Sequence, residues 1–183
     1  KEKPVNLFNA SRISKKDIAV TDRSAKIKVI KALEGQLITE SMIVDPKTEE
    51  GFIVSDAERD ILEIIVLNRY KSAKPAIGFI HNFQIKKGAI ASTVAHDSHN
   101  IIAVGATDED IVRAVNLLID SKGGISLVNG NEEVLLPLLV AGIMSNEDAY
   151  KLAEKYEEIN NKVMSTGTKL RSPYMTLSFM ALL

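Results

Sequence analysis

Ala89-Ile90-Ala91-Ser92-Thr93-Val94-Ala95-His96-Asp97-Ser98-His99-Asn100-Ile101-Ile102-Ala103-Val104-Gly105 holds two apolar runs separated by five consecutive polar residues. Runs of this length, rich in isoleucine and valine, predict buried strands over residues 89–95 and 100–105, with the polar residues turning the chain between them. Thr107 follows, with Asp110 three positions on in a helix-capping spacing. Ile111, Ala114, Val115 and Leu118 then recur at helical intervals, and Gly123-Gly124 ends the helix.

Upstream, Ile61-Leu62-Glu63-Ile64-Ile65-Val66-Leu67 reads as another buried strand and residues 76–83 as one more. Downstream, residues 125–128 and 133–138 read as strands around the Asn129-Gly130 turn, a strong hairpin signal. Ser145 with Asp148 is read as starting a second helix whose inner face is Ala149, Leu152, Ala153, Tyr156, Ile159 and Val163. Thr166-Gly167 closes that helix, and after Pro173 the chain is apolar to its end except at Thr176 and Ser178. Such an end, with no polar tail, reads as the edge of a longer polypeptide.

The first 25 residues have no clear period. From Lys26 the pattern alternates, Ile27-Lys28-Val29-Ile30, then Gln36-Leu37-Ile38-Thr39 and Met42-Ile43-Val44, which predicts a hairpin turning at Glu34-Gly35. A hairpin of this size needs a surface to pack on. The expected fold class is therefore α+β: a mixed β-sheet with two main helices in a two-layer arrangement, plus a small N-terminal β-hairpin, with α/β the alternative. The expected division is residues 1–48 as arm and hairpin, and residues 49–183 as the main domain.

The 183 residues are 45% hydrophobic and 26% charged, the proportions of an ordinary globular protein. A net charge of −1 gives no overall bias toward nucleic acid or anionic lipid, so neither is expected as a partner. Residues 1–31 carry nine basic and three acidic side chains, and residues 40–63 eight acidic and two basic. With only Phe8 among the early lysines and arginines, two solvated segments account for this better than a nucleic-acid arm. The absence of cysteine excludes disulfides, thiolate nucleophiles and Cys-bound metals, and fits a cytoplasmic protein. No apolar run is long enough to span a bilayer.

Familiar catalytic signatures are missing. The sequence contains no phosphate-binding Gly-Lys-Ser/Thr loop, no Gly-x-Ser-x-Gly elbow, no Pro-Cys-x-x-Cys zinc-deaminase segment and no His-x-His pair. A complete metal-dependent barrel also needs roughly 250 residues. The candidate site is instead the polar turn: His96, Asp97, Ser98, His99 and Asn100. A tight turn would bring His96 and His99 together beside Asp97, a donor set suited to Mn, Fe or Zn and to proton relay. The competing reading makes Asp97 and Ser98 ordinary turn formers and the histidines structural. Adjacent Asp97, Ser98 and His99 are not a serine triad, since neighbours point apart. His81, alone in an apolar strand, reads as structural, and Arg69 as one half of a surface ion pair, with recognition of an anion the alternative.

The run from Lys87 to Gly105, with Asp108-Glu109-Asp110, Ala114-Val115-Asn116, Leu136-Pro137-Leu138 and Ala141-Gly142-Ile143-Met144-Ser145, closely resembles the C-terminal region of bacterial and archaeal adenine deaminases. Pro173-Tyr174-Met175-Thr176-Leu177-Ser178-Phe179 is similar to that family's last motif, with Tyr174 in place of phenylalanine. The resemblance spans residues 35–183. Tyr70 and Lys71 stand where the family tends to carry histidines, so no histidine role is carried over there. The resemblance implies conversion of adenine to hypoxanthine and ammonia by a barrel with a two-metal centre, Mn or Fe, lying outside this sequence. It implies that barrel as a partner, adenine as the substrate of the whole enzyme, and residues 26–44 as part of a small β-domain beside the barrel.

Three roles follow for the chain itself. It is an enzyme portion whose His96–Asn100 turn faces the active site or holds an accessory metal through His96, Asp97 and His99. Alternatively it is a non-catalytic module that builds a homo-oligomer, or a free-standing small-ligand domain.

Overall fold

A computed structural model describes residues 5–182; residues 1–4, the start of the polar arm, and Leu183 at the apolar end lie outside the described residues. In chain order the elements are α1 (Lys15–Ile18), β1 (Val20–Thr21), β2 (Ile27–Lys31), β3 (Glu40–Val44), β4 (Lys47–Glu49), β5 (Phe52–Val54), β6 (Ile61–Leu67), β7 (Ala76–His81), β8 (Ala89–Ser92), β9 (Ile101–Gly105), α2 (Asp108–Ser121), β10 (Gly124–Asn129), β11 (Glu132–Pro137), α3 (Ala149–Val163) and α4 (Pro173–Phe179), with a 3₁₀ turn at Met164–Thr166 between the last two. Eight strands form one sheet in the order β11-β10-β8-β9-β6-β7-β2-β3, and β1-β5-β4 form a small second sheet.

The fold is α+β, as its sequence indicates, with a mixed sheet: every pairing in the large sheet is antiparallel except β2 with β7. The central strands are buried on both faces, all five residues of β9 among them, so both faces need cover. Ile111, Ala114, Val115 and Leu118 of α2 pack on Ile65, Ala91, Ile101 and Ala103. Ile159 and Val163 of α3, with Tyr174 and Leu177 of α4, belong to the opposite core with Ile64, Ile90, Ile102, Val104 and Leu127. The helices thus lie on opposite faces, giving three layers where the sequence pattern pointed to two.

The hairpin ends where expected at Val44, but its second strand begins at Glu40, because Leu37 and Ile38 stand in solvent without strand partners. It is hydrogen-bonded in parallel to β7, through Val29, Ile30 and Lys31, and so extends the main sheet. The irregular arm is pinned to α2 at Ile13. Buried Asn116 on α2 clamps the arm, its Oδ1 accepting from the Ile13 N–H at 3.0 Å and its Nδ2 donating to the Ile13 carbonyl at 2.9 Å.

Local chemistry sets most boundaries. Thr107 caps α2, its Oγ1 accepting from the Asp110 N–H at 3.2 Å, and three acidic residues fill the first turn, where the positive end of the helix dipole favours them. The cap of α3 is Asp148, which accepts from the N–H groups of Tyr150 and Lys151; Ser145 caps only a turn, accepting from Glu147. Among the described residues no helix is long and apolar enough to cross a membrane.

Candidate functional site

β8 leaves the sheet at Ser92, earlier than its apolar sequence suggests, because Ser92 Oγ takes over as acceptor for the Val94 N–H at 2.9 Å and Thr93 turns to the Gly124 carbonyl. Thr93 Oγ1 also donates to the Gly142 carbonyl at 2.5 Å. The chain then makes the polar turn. The His99 N–H donates to the Ala95 carbonyl at 2.8 Å and the Ser98 N–H to the His96 carbonyl at 3.0 Å. Asp97 (φ 66°) and His99 (φ 47°) both take left-handed backbone conformations, which non-glycine residues hold only when their surroundings impose them.

Those surroundings are specific. The His96 N–H donates to the Ser178 carbonyl of α4 at 2.9 Å, and the His96 ring stacks on Phe179 with centroids 4.3 Å apart and planes 10° from parallel. On the other side Tyr70 Oη donates to the Ser98 carbonyl, and the Arg69 N–H reaches Asn100 Oδ1 at 3.4 Å. Arg69 is buried, with Nη1 donating to the Ala141 carbonyl at 2.6 Å and Nη2 to Tyr70 Oη at 3.0 Å. Its guanidinium carbon lies 4.8 Å from the Tyr70 ring centre and 6.0 Å from that of Phe8, within cation–π range. It is therefore no surface ion pair; among the described residues no carboxylate meets it. One arginine ties the N-terminal arm, the Ala141-Gly142 loop and the polar turn into one corner.

Beside the turn, between the sheet, α3 and α4, lies an apolar cavity of about 500 Å³, lined by Val94, Ile125, Leu136, Leu152, Tyr156 and Met175 among others, and by His96.

Residues 36–183 match the sequence pattern of the adenine deaminase C-terminal domain. The chain belongs to that family. It is 48% identical to an adenine deaminase of Methanosarcina barkeri over 97% of its length, 44% identical to one of Parabacteroides distasonis over 99%, and 42% identical to one of Borreliella burgdorferi over 99%. The chain spans about a third of the length of each of these relatives, 34%, 34% and 33%.

In this adenine deaminase domain the five residues share one turn but have different surroundings. His96, Asp97 and Ser98 are exposed, whereas His99 and Asn100 are half-buried. His96 leans on α4, while His99 keeps its Nδ1 enclosed without a hydrogen-bond partner. Among the described residues no three His, Cys, Asp or Glu side chains gather closely enough to hold a metal ion. The donor set of His96, Asp97 and His99 therefore does not fit a metal as it stands.

His81 sits at the end of β7, half-buried, paired across to Ile61 and Lys31 and with its Nδ1 enclosed without a partner. Sequence reasoning missed Tyr70, Ser178 and Phe179 as supports of the turn. The one available signal was Arg69, a single charge at the end of a seven-residue strand with six positions buried.

Proposed function

We propose that this domain completes an adenine deaminase, an enzyme that exchanges the exocyclic amine of adenine for oxygen, consuming water and releasing hypoxanthine and ammonia, and that its His96–Asn100 turn faces the catalytic part. The observation that carries the reading is near-complete coverage of the chain by proteins named adenine deaminase, together with a polar turn that the fold holds rigidly at its surface. On this reading the divalent metal, Mn or Fe, is bound by residues of the remaining two thirds of the enzyme. Purine salvage in the cytoplasm, by a homo-oligomer, is the setting proposed for it.

The chain's own part is to position. His96, Asp97 and Ser98 present an imidazole, a carboxylate and a hydroxyl to solvent or to a docked partner, and an imidazole near neutral pH serves as donor or acceptor to a purine nitrogen. The test is His96→Ala and His99→Ala in the full-length protein, with hypoxanthine production and thermal unfolding measured together. A fall in kcat/KM of tenfold or more at unchanged Tm is expected; unchanged kinetics would remove the turn from the active site.

A further inference from the structure

Resting on the reading that this domain is one part of a longer deaminase, we propose that the cavity between α3, α4 and the sheet seats apolar side chains from the rest of the same polypeptide. The helix α3 is amphipathic, yet only Ile159 and Val163 near its C-terminal end are buried. Its first turns stand off the sheet. Leu152 is half-buried, Tyr156 is 38% exposed and Met175 on α4 is 53% exposed. The space they leave against Ile125 and Leu136 is about 500 Å³. A cavity of roughly 150 Å³ holds a benzene ring, so this one admits more than one large side chain.

The walls define the chemistry of the occupant. Tyr174 donates its hydroxyl to the Ser126 carbonyl at 2.9 Å, Ser178 to Met175 and Ser92 to Val94. Three of the lining hydroxyls are thus engaged, and the other polar groups, the Tyr156 hydroxyl and the His96 imidazole, belong to exposed residues. Polar atoms of a ligand seated against Ile125 and Leu136 would go unpaired, at a cost of about 1–3 kcal/mol for each buried group. Aliphatic or aromatic side chains incur no such penalty, and covering apolar surface contributes about 25 cal/mol per Å². The outer face of α3 carries Lys151, Glu154, Lys155, Glu157 and Glu158, so the patch has the apolar centre and charged rim of an interface. Curated relatives extend to about three times this length, since the chain spans 34% of the Methanosarcina barkeri protein. That missing polypeptide is the occupant. His96 lines the cavity, so a body seated there also covers the polar turn.

Hydroxyl-radical footprinting of the full-length protein tests this, with Met175 compared with Met164, which is less exposed (37%) in the domain alone. Slower oxidation of Met175 than of Met164 is the expected result; Met175 oxidising faster than Met164 overturns the proposal. Cross-linking from Lys151 and Lys155 in a mixture of light- and heavy-isotope protein identifies the occupant. Links within one chain to residues beyond this domain support the proposal, and links dominated by light–heavy pairs show a second copy and overturn it. A deaminase assay on the same sample separates the two readings. Activity with an unprotected Met175 sinks only the docking, and protection without activity on adenine sinks only the functional assignment.

Discussion

The Tyr70 hydroxyl donates to the Ser98 carbonyl at 3.0 Å, so a residue just past the end of β6 holds the middle of the polar turn that joins β8 to β9. Removing that hydroxyl leaves the Ser98 carbonyl and Arg69 Nη2 each without this partner. Tyr70→Phe is expected to destabilise the protein by about 1 kcal/mol, read by urea denaturation. It should also speed amide hydrogen exchange at Ser98 and His99. Exchange unchanged at those two amides would mean that the left-handed residues Asp97 and His99 are held by α4 alone.

Arg69 separates charge from geometry. Its guanidinium fork spans the Ala141 carbonyl and Tyr70 Oη, two directions that an ammonium on a flexible stem does not satisfy together. Arg69→Lys is expected to cost about 2 kcal/mol of stability, nearly as much as Arg69→Met, because hydrogen bonds from a charged donor are worth about 1.5–3 kcal/mol each. Full retention of stability by the lysine variant in denaturant melts would show that only the charge matters.

Gly142 should behave as part of the same unit. Its φ of +71° favours glycine, and a Cβ there would collide with Arg69 Nη1. Gly142→Ala is expected to lower Tm, and the double variant with Arg69→Met should fall clearly short of the sum of the two losses. Strict additivity would contradict the shared contact.

Glu63 gives the pH dependence. It is 0% exposed in the middle of β6, neither carboxylate oxygen has a hydrogen-bond partner, and burial, with the Asp108 charge adding to it, pushes its pKa up to about 8. The folded state therefore keeps a proton that the unfolded chain gives up above its ordinary value of 4.5. Stability is unaffected by this group below the unfolded value. It is lost as pH rises toward 8, by at most about 1.4 kcal/mol per pH unit, and the loss levels off above the folded value. Glu63→Gln is expected to flatten that decline and to be the more stable protein at alkaline pH; parallel pH–stability curves for the two proteins would refute it.

Thr107→Ala removes the cap that its spacing from Asp110 announces. A loss of about 1 kcal/mol is expected in denaturant melts, with Thr107→Ser retaining most of the stability.

These elements also show which information was local. The capping threonine, the Gly123 stop after α2 and the Asn129-Gly130 turn were legible because each rests on contacts within a few residues, and β6 because its seven residues form a nearly unbroken apolar run. The short strands β1, β4 and β5 were not, since two or three residues carry no period and form only when a partner strand is delivered. The same holds for the site. The polar turn was visible as a break in hydrophobicity, whereas its supports come from positions 70 and 178, far apart in sequence.

By itself the sequence determined the α+β class, most strand positions, the polar character of residues 96–100 and the family, because periodicity, turn residues and sequence motifs are properties of neighbours along the chain. Only the tertiary structure decided that the helices cover opposite faces, that Arg69 is buried against two rings, that His96 stacks on Phe179 while His99 Nδ1 is enclosed, and that α3 leaves an apolar cavity beside the turn. Each of these depends on which distant surface meets which, set by the register and twist of an eight-stranded sheet, and no local pattern encodes that pairing.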